Sequence, residues 1–145
     1  MEDKKRQKIG KWIGMAIGLV VGITVVQLVF KQPSFDRIMA RSVEKLNKTC
    51  PVMVDEETRL DSINVLHENA LQYNYTLVNM SRDSMDLKVF SDYMKPTLLN
   101  GVKTSPQLKI YRDHKTTFVY NYLDRNGESV ELIYVTAEQY NDKDK

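Results

Sequence analysis

The chain has 145 residues, 42% of them hydrophobic, with 21 Lys and Arg against 19 Asp and Glu and a single cysteine. Its net charge of +2 hides an asymmetry: Lys4, Lys5, Arg6, Lys8 and Lys11 face only Glu2 and Asp3, which leaves 16 basic and 17 acidic residues beyond them. A near-neutral remainder of mixed sign excludes a nucleic-acid-binding stripe. One cysteine excludes an intramolecular disulfide or a multi-cysteine metal site, and the length leaves room for one sizeable domain only.

The basic cluster, residues 1–11, precedes 19 consecutive uncharged residues, Trp12 to Phe30, bracketed by Lys11 and Lys31. At the helical rise this run spans about 28 Å, close to the hydrocarbon thickness of a bilayer. Trp12 and Phe30 sit just inside the flanking charges, where an aromatic ring suits the headgroup level. The run is longer than the apolar centre of a cleavable signal and ends in Leu28-Val29-Phe30-Lys31-Gln32-Pro33, without a small-residue cleavage pair. The expectation is a retained signal-anchor, a transmembrane helix over 12–30. The density of positive charge before it places residues 1–11 in the cytoplasm and residues 31–145 outside.

Four of the six glycines, Gly10, Gly14, Gly18 and Gly22, recur every fourth residue and share one face of such a helix. A small-residue stripe of this glycine-zipper kind lets helices approach closely in lipid, and Gln27 adds a hydrogen-bonding group near the far end. The partners this implies are the membrane and either a second copy or another membrane protein. The reading includes no nucleic acid.

Beyond the span, Pro33-Ser34 reads as a stop and an N-cap. Phe35, Ile38, Met39, Ser42, Val43 and Leu46 then recur at helical spacing, with Asp36, Arg37, Arg41, Glu44 and Lys45 opposite, so an amphipathic helix of about 13 residues should end near Asn47. Pro51 to Val54 fits a short strand. Leu71, Tyr73, Tyr75 and Leu77 alternate with Gln72, Asn74 and Thr76, which predicts a half-buried strand paired with Leu60 to Leu66 across His67-Glu68-Asn69-Ala70. A second helix should be capped by Asp83 or Ser84, be kinked or split at Pro96 and stop at Asn100-Gly101.

The last third reads as strands: Leu108 to Tyr111, then Thr116 to Leu123 with Phe118, Tyr120 and Tyr122 on one face, then Val130, Leu132 and Tyr134 after an Asn126-Gly127 turn. The fold class expected is α+β, an antiparallel sheet with two helices packed on one face. If the other face is open, some of the strand tyrosines must line it, as a surface for a peptide, a glycan or an apolar ligand.

The residues with chemistry of their own are few. Cys50 could act as a nucleophile only beside a base, and His67 and His114 are the only imidazoles. Neither histidine has the close spacing of metal ligands, and both fall in turns, so no metal and no cofactor is expected. Asp55, Glu56, Glu57, Arg59 and Asp61 lack the glycine and alternating acceptors of a calcium loop, and Arg59 beside Asp61 reads as a structural pair. No phosphate-binding glycine loop, nucleophile elbow or HExxH pair occurs.

The block Asn47-Lys48-Thr49-Cys50-Pro51-Val52-Met53-Val54-Asp55-Glu56-Glu57-Thr58-Arg59-Leu60-Asp61, followed by Tyr73-Asn74-Tyr75-Thr76-Leu77, resembles a group of small bacterial membrane-anchored proteins of uncharacterised role. The resemblance covers about Phe35 to Tyr140 and implies a cell-envelope setting without implying a reaction. Two functional classes follow from the residues. One is a membrane-anchored extracytoplasmic interaction or structural module; the other is a tethered small-ligand sensor or enzyme with scattered site residues such as Cys50, His67 and His114.

Overall fold

The computed structural model describes residues 33–142. The expected span 12–30, the glycines Gly10, Gly14, Gly18 and Gly22, and Gln27 lie outside the described residues. Among the described residues no helix is long and apolar enough to cross a membrane.

The amphipathic stretch forms helix α1, Phe35–Asn47, with Met39 and Val43 buried. Strands β1, Val52–Met53, β2, Thr58–Leu66, and β3, Ala70–Leu77, follow as an antiparallel meander. A 3₁₀ turn, Arg82–Ser84, leads into α2, Leu87–Thr104. A second 3₁₀ turn, Pro106–Leu108, runs into the short α3, Lys109–Asp113. Strands β4, Thr117–Leu123, and β5, Ser129–Val135, and the short α4, Ala137–Asn141, complete the domain.

The α+β class holds, but the sheet is mixed. Its order is β1-β2-β3-β4-β5, and β4 runs parallel to β3. The physical reason lies in the connection. An 18-residue helix carries the chain back along the sheet before β4 begins, so β4 must repeat the direction of β3.

Leu108 to Tyr111 is where a strand expectation fails. Pro106 opens a turn, and the Arg112 guanidinium donates to the carbonyls of Val102 and Ser105, each at 2.7 Å, folding the segment against the end of α2. The strand expectation rests on Leu108 and Ile110, two apart, but the residues that turn inward are Leu108 and Tyr111, three apart, which is helical spacing, while Ile110 is exposed.

Helix α2 also departs from its expected limits. Asp86 is the N-cap, accepting from the Val89 amide at 3.0 Å, rather than Asp83 or Ser84. Pro96 sits inside an unbroken helix. Its missing donor would have served Asp92, and both residues are exposed, so the proline costs no buried hydrogen bond. Asn100-Gly101 does not end the helix either; Ser105 does, because Pro106 disfavours a helical conformation in the residue before it.

Strand β5 shows a third correction. Tyr122 pairs with Glu131 and Leu123 with Ser129, so Val130 is an extra residue, a bulge. The bulge changes the face: Val130, Ile133 and Val135 are buried, while Leu132 and Tyr134 are 43% and 54% exposed. Asp124 organises the adjoining turn. Its buried carboxylate accepts from the amides of Arg82, Asn126 and Glu128 at 2.7 to 2.9 Å, which ties the β4–β5 turn to the entrance of α2. These bonds, the one from Arg82 foremost, hold its carboxyl below the usual range.

Helices cover one face of the sheet, where Ile63, Leu71, Phe118, Ile133 and Val135 form the dry centre of the core with Met39 and Val102. The register places Val119, 2% exposed, on the opposite face of β4, between Gln72 and Tyr134.

Candidate binding cleft

Sequence places the pieces of the cleft far apart, and three local interactions bring them together. The first is Asn47, the last residue of α1. Its side-chain amide donates to the Ile63 carbonyl at 2.8 Å and accepts from the Ile63 amide at 2.7 Å. Strand β1 pairs with β2 only at Leu60 and Arg59, so Asn47 serves the edge groups that β1 leaves open and clamps α1 over β2. The second is Phe35 at the opposite end of α1, stacked on His114 at 3.9 Å and edge-on to Tyr111 at 5.9 Å. The third is Arg112, which fixes the Pro106–Asp113 segment as described above.

Between α1 and that segment lies a cleft of about 310 Å³. Ser42, Lys45 and Leu46 form one wall, and Gln107, Leu108 and Tyr111 the other. Ile63, Leu71 and Tyr73 make the floor. Apolar groups dominate, and the polar ends of Ser42, Lys45 and Gln107 are the exceptions. Such a volume is at the small end of ligand cavities, room for one extended chain or a few side chains but not for a helix.

The floor continues into a grid of aromatic rings. Because β3 and β4 are parallel and in register, Tyr73 lies beside Tyr120 and Tyr75 beside Tyr122. The stacked rings are 5.4 and 5.2 Å apart, and Phe90 of α2 meets Tyr122 edge-on at 5.3 Å. Burial pushes the Tyr75 phenol up to about 12, with Cys50 adding to the effect, and it pushes Tyr73, Tyr120 and Tyr122 further still, where neighbouring phenols add to it. These tyrosines stay neutral near pH 7 and offer apolar faces rather than a base. Tyr73, Tyr75, Tyr120 and Tyr122 therefore line the helix-covered side instead of the open one; of the other tyrosines expected in strands, Tyr134 lies on the open side and Tyr111 belongs to a helix.

The residues singled out for chemistry do not converge. Cys50 is half-buried just beyond α1, its Sγ 3.5 Å from the Leu46 carbonyl, and it precedes a cis Cys50–Pro51 bond. His67 is exposed in the β2–β3 turn. His114 is exposed beyond α3, with Nδ1 2.8 Å from the Ile110 carbonyl and its own carbonyl accepting from Asn69. Both histidines lie at the Leu66 end of β2, while Cys50 lies near the Leu60 end, a strand length of roughly 20 Å away.

Among the described residues no group of His, Cys, Asp or Glu is arranged to hold a metal ion. Asp55 instead caps the turn into β2 through the amides of Glu57 and Thr58. Asp61 pairs with Arg59 at 2.5 Å and accepts from Thr76. The cleft itself escaped sequence reasoning because Leu108 read as strand and Lys45 as solvated surface; Pro106, which begins the turn, was the available signal.

The domain of unknown function DUF8479 matches residues 34–133. No curated protein matches the chain significantly. Among solved structures, a protein of Pseudomonas aeruginosa described as secreted is similar with a TM-score of 0.62 at 10% identity, over 71% of this chain and 89% of that one. The type 2 secretion pilotin EpsS of Vibrio vulnificus gives 0.56 at 10% identity, over 73% and 92%. The type II secretion pilotin AspS of Vibrio cholerae gives 0.54 at 9% identity, over 78% and 98%. At such identities the likeness is one of fold.

Proposed function

The chain belongs to the DUF8479 family, and from that premise we propose that it is an extracytoplasmic envelope module, tethered by a single membrane span, that binds rather than catalyses. The observation that carries this reading is the uncharged run from Trp12 to Phe30, which only four residues separate from the start of the folded domain at Phe35. A secreted protein and two secretion-system pilotins share the fold, which supports an envelope setting and a service role to a larger assembly. The resemblance of the Asn47–Asp61 block to small bacterial membrane-anchored proteins points the same way. The glycine row at Gly10, Gly14, Gly18 and Gly22 would pair this span with another helix, and the cleft under α1 would be the binding site of the folded part.

The cleft also gives the second reading, a tethered small-ligand sensor, its specific support, because an apolar hollow of this size suits a small ligand. Both readings share one topology. The test is carbonate extraction of membranes from cells making the full chain, combined with protease treatment of spheroplasts. The chain should remain in the membrane, and its C-terminal portion should be digested from outside. Release by carbonate, or full protection from the protease, overturns the tethered reading.

A further inference from the structure

Three exposed cations, Arg37, Arg41 and Lys45, follow one another at four-residue intervals along α1 and so form a row along its surface. None of the three forms an ion pair or a side-chain hydrogen bond with another described residue, whereas Lys48, one turn on, is paired with Glu44. The row ends at the cleft, since Lys45 is one of its wall residues, beside the Ser42 hydroxyl. An unpaired positive row that terminates in an apolar hollow is complementary to a molecule with an anionic head and a hydrocarbon tail.

The position of α1 along the chain identifies a source for such a molecule. Only four residues separate Phe30 from Phe35 in the sequence, at most roughly 18 Å of chain, so a bilayer that holds the preceding run would be a source of such a molecule within reach of the domain. We propose that the cleft takes one acyl chain of an anionic phospholipid from that bilayer, with Arg41 and Lys45 holding the phosphate at the mouth. Leu46, Leu108 and Tyr111 would flank the chain, and the neutral ring of Tyr73 would lie beneath it. The hollow is too small for two chains, so the second would stay in the membrane. The protein would in this way grip a lipid beside its own tether, and the inference rests on the tethered reading above.

The experiment uses the full chain in nanodiscs made either of phosphatidylcholine alone or of phosphatidylcholine mixed with phosphatidylglycerol. Both contain a trace of lipid with the matching headgroup and a diazirine at the end of one acyl chain. After illumination, peptide mapping should find adducts on the Leu46 and Leu108–Tyr111 peptides with phosphatidylglycerol, at several-fold lower yield with phosphatidylcholine. Arg41→Gln and Lys45→Gln should each lower the yield about five-fold, as expected for one charge near an anionic headgroup.

Leu108→Trp, which fills the hollow, should abolish the cleft adducts while leaving those on residues 12–30. An unchanged melting temperature of each variant keeps a folding defect from imitating the result. Adducts confined to residues 12–30, equal yields from the two lipids, or yields insensitive to the charge changes overturn the lipid proposal and leave the cleft to a protein side chain. A chain that fails to enter the nanodiscs at all overturns the tether and this inference with it, whereas entry without cleft adducts defeats the inference alone.

Discussion

The two faces of the sheet use the same alternating strands for opposite purposes. On the helix-covered face, Tyr73, Tyr75, Tyr120 and Tyr122 stack across β3 and β4, and Phe118 is wholly buried. On the uncovered face the intervening residues form an amide network centred on Asn74. Its carbonyl accepts from Gln72 at 2.7 Å and Asn121 at 3.1 Å, and its amino group donates to Ser62 at 3.0 Å. One face is held chiefly by excluding water, and the other chiefly by satisfying polar groups beside it, although Val119 of β4, 2% exposed, is buried on it. A one-residue slip of β3 would exchange the two sets, burying amides and exposing phenols, so both faces vote for the same register.

The largest way to break this comparison is alkali. The four stacked phenols have folded-state values raised above the ordinary value near 10, Tyr75 to about 12. A raised value favours the folded state fully at pH below about 10, and the contribution is lost as pH climbs through the folded values, because only the unfolded chain ionises freely. The expected outcome is a cooperative collapse above pH 10 in which phenolate absorbance and loss of near-ultraviolet circular dichroism move together. Phenolate appearing gradually from an intact fold would show that the grid is open to water.

Single substitutions sharpen the contrast. Phe118→Ala removes a ring from a site with no exposure and should reduce the unfolding free energy by about 3–5 kcal/mol. Asn74→Ala severs three hydrogen bonds in one step, yet its partners Ser62, Gln72 and Asn121 are only half-buried. Water can replace the lost bonds, so the expected loss is about 1 kcal/mol. Urea titrations of the two variants give the ratio directly, and a loss from Asn74→Ala as large as that from Phe118→Ala would mean that the uncovered face is not open.

Much of this arrangement was legible in the sequence wherever periodicity ran long enough to decide. Helix α1 and the β2–β3 hairpin are read correctly from spacing, and so is β4, because each has at least six residues of consistent pattern. The parallel pairing of β3 with β4 was not legible, since it is a property of the connection rather than of either strand. Val130 illustrates a different limit. A bulge leaves no mark in an alternation of Val, Leu and Tyr, yet it decides that Ile133 enters the core and Tyr134 does not. The cleft depends on the least periodic segment of the domain, Pro106 to Asp113, and for that reason only half of its lining was in view.

Gly101 provides the smallest and most discriminating change, because it touches neither face. Read as a helix stop, it should have needed a backbone conformation that only glycine tolerates, and replacing it would have been harmful. In the fold it lies inside α2, exposed, and a Cβ built there meets no atom within 4 Å. Glycine in a helix interior carries excess freedom in the unfolded chain, so Gly101→Ala should stabilise the domain by about 0.5–1 kcal/mol. The gain should move the alkaline collapse slightly upward, because the added stability must be overcome at every pH, and should leave the lipid adducts of the cleft unchanged. A loss of stability in urea would mean that α2 ends at Gly101 after all, and the segment that forms the far wall of the cleft would then need a different path.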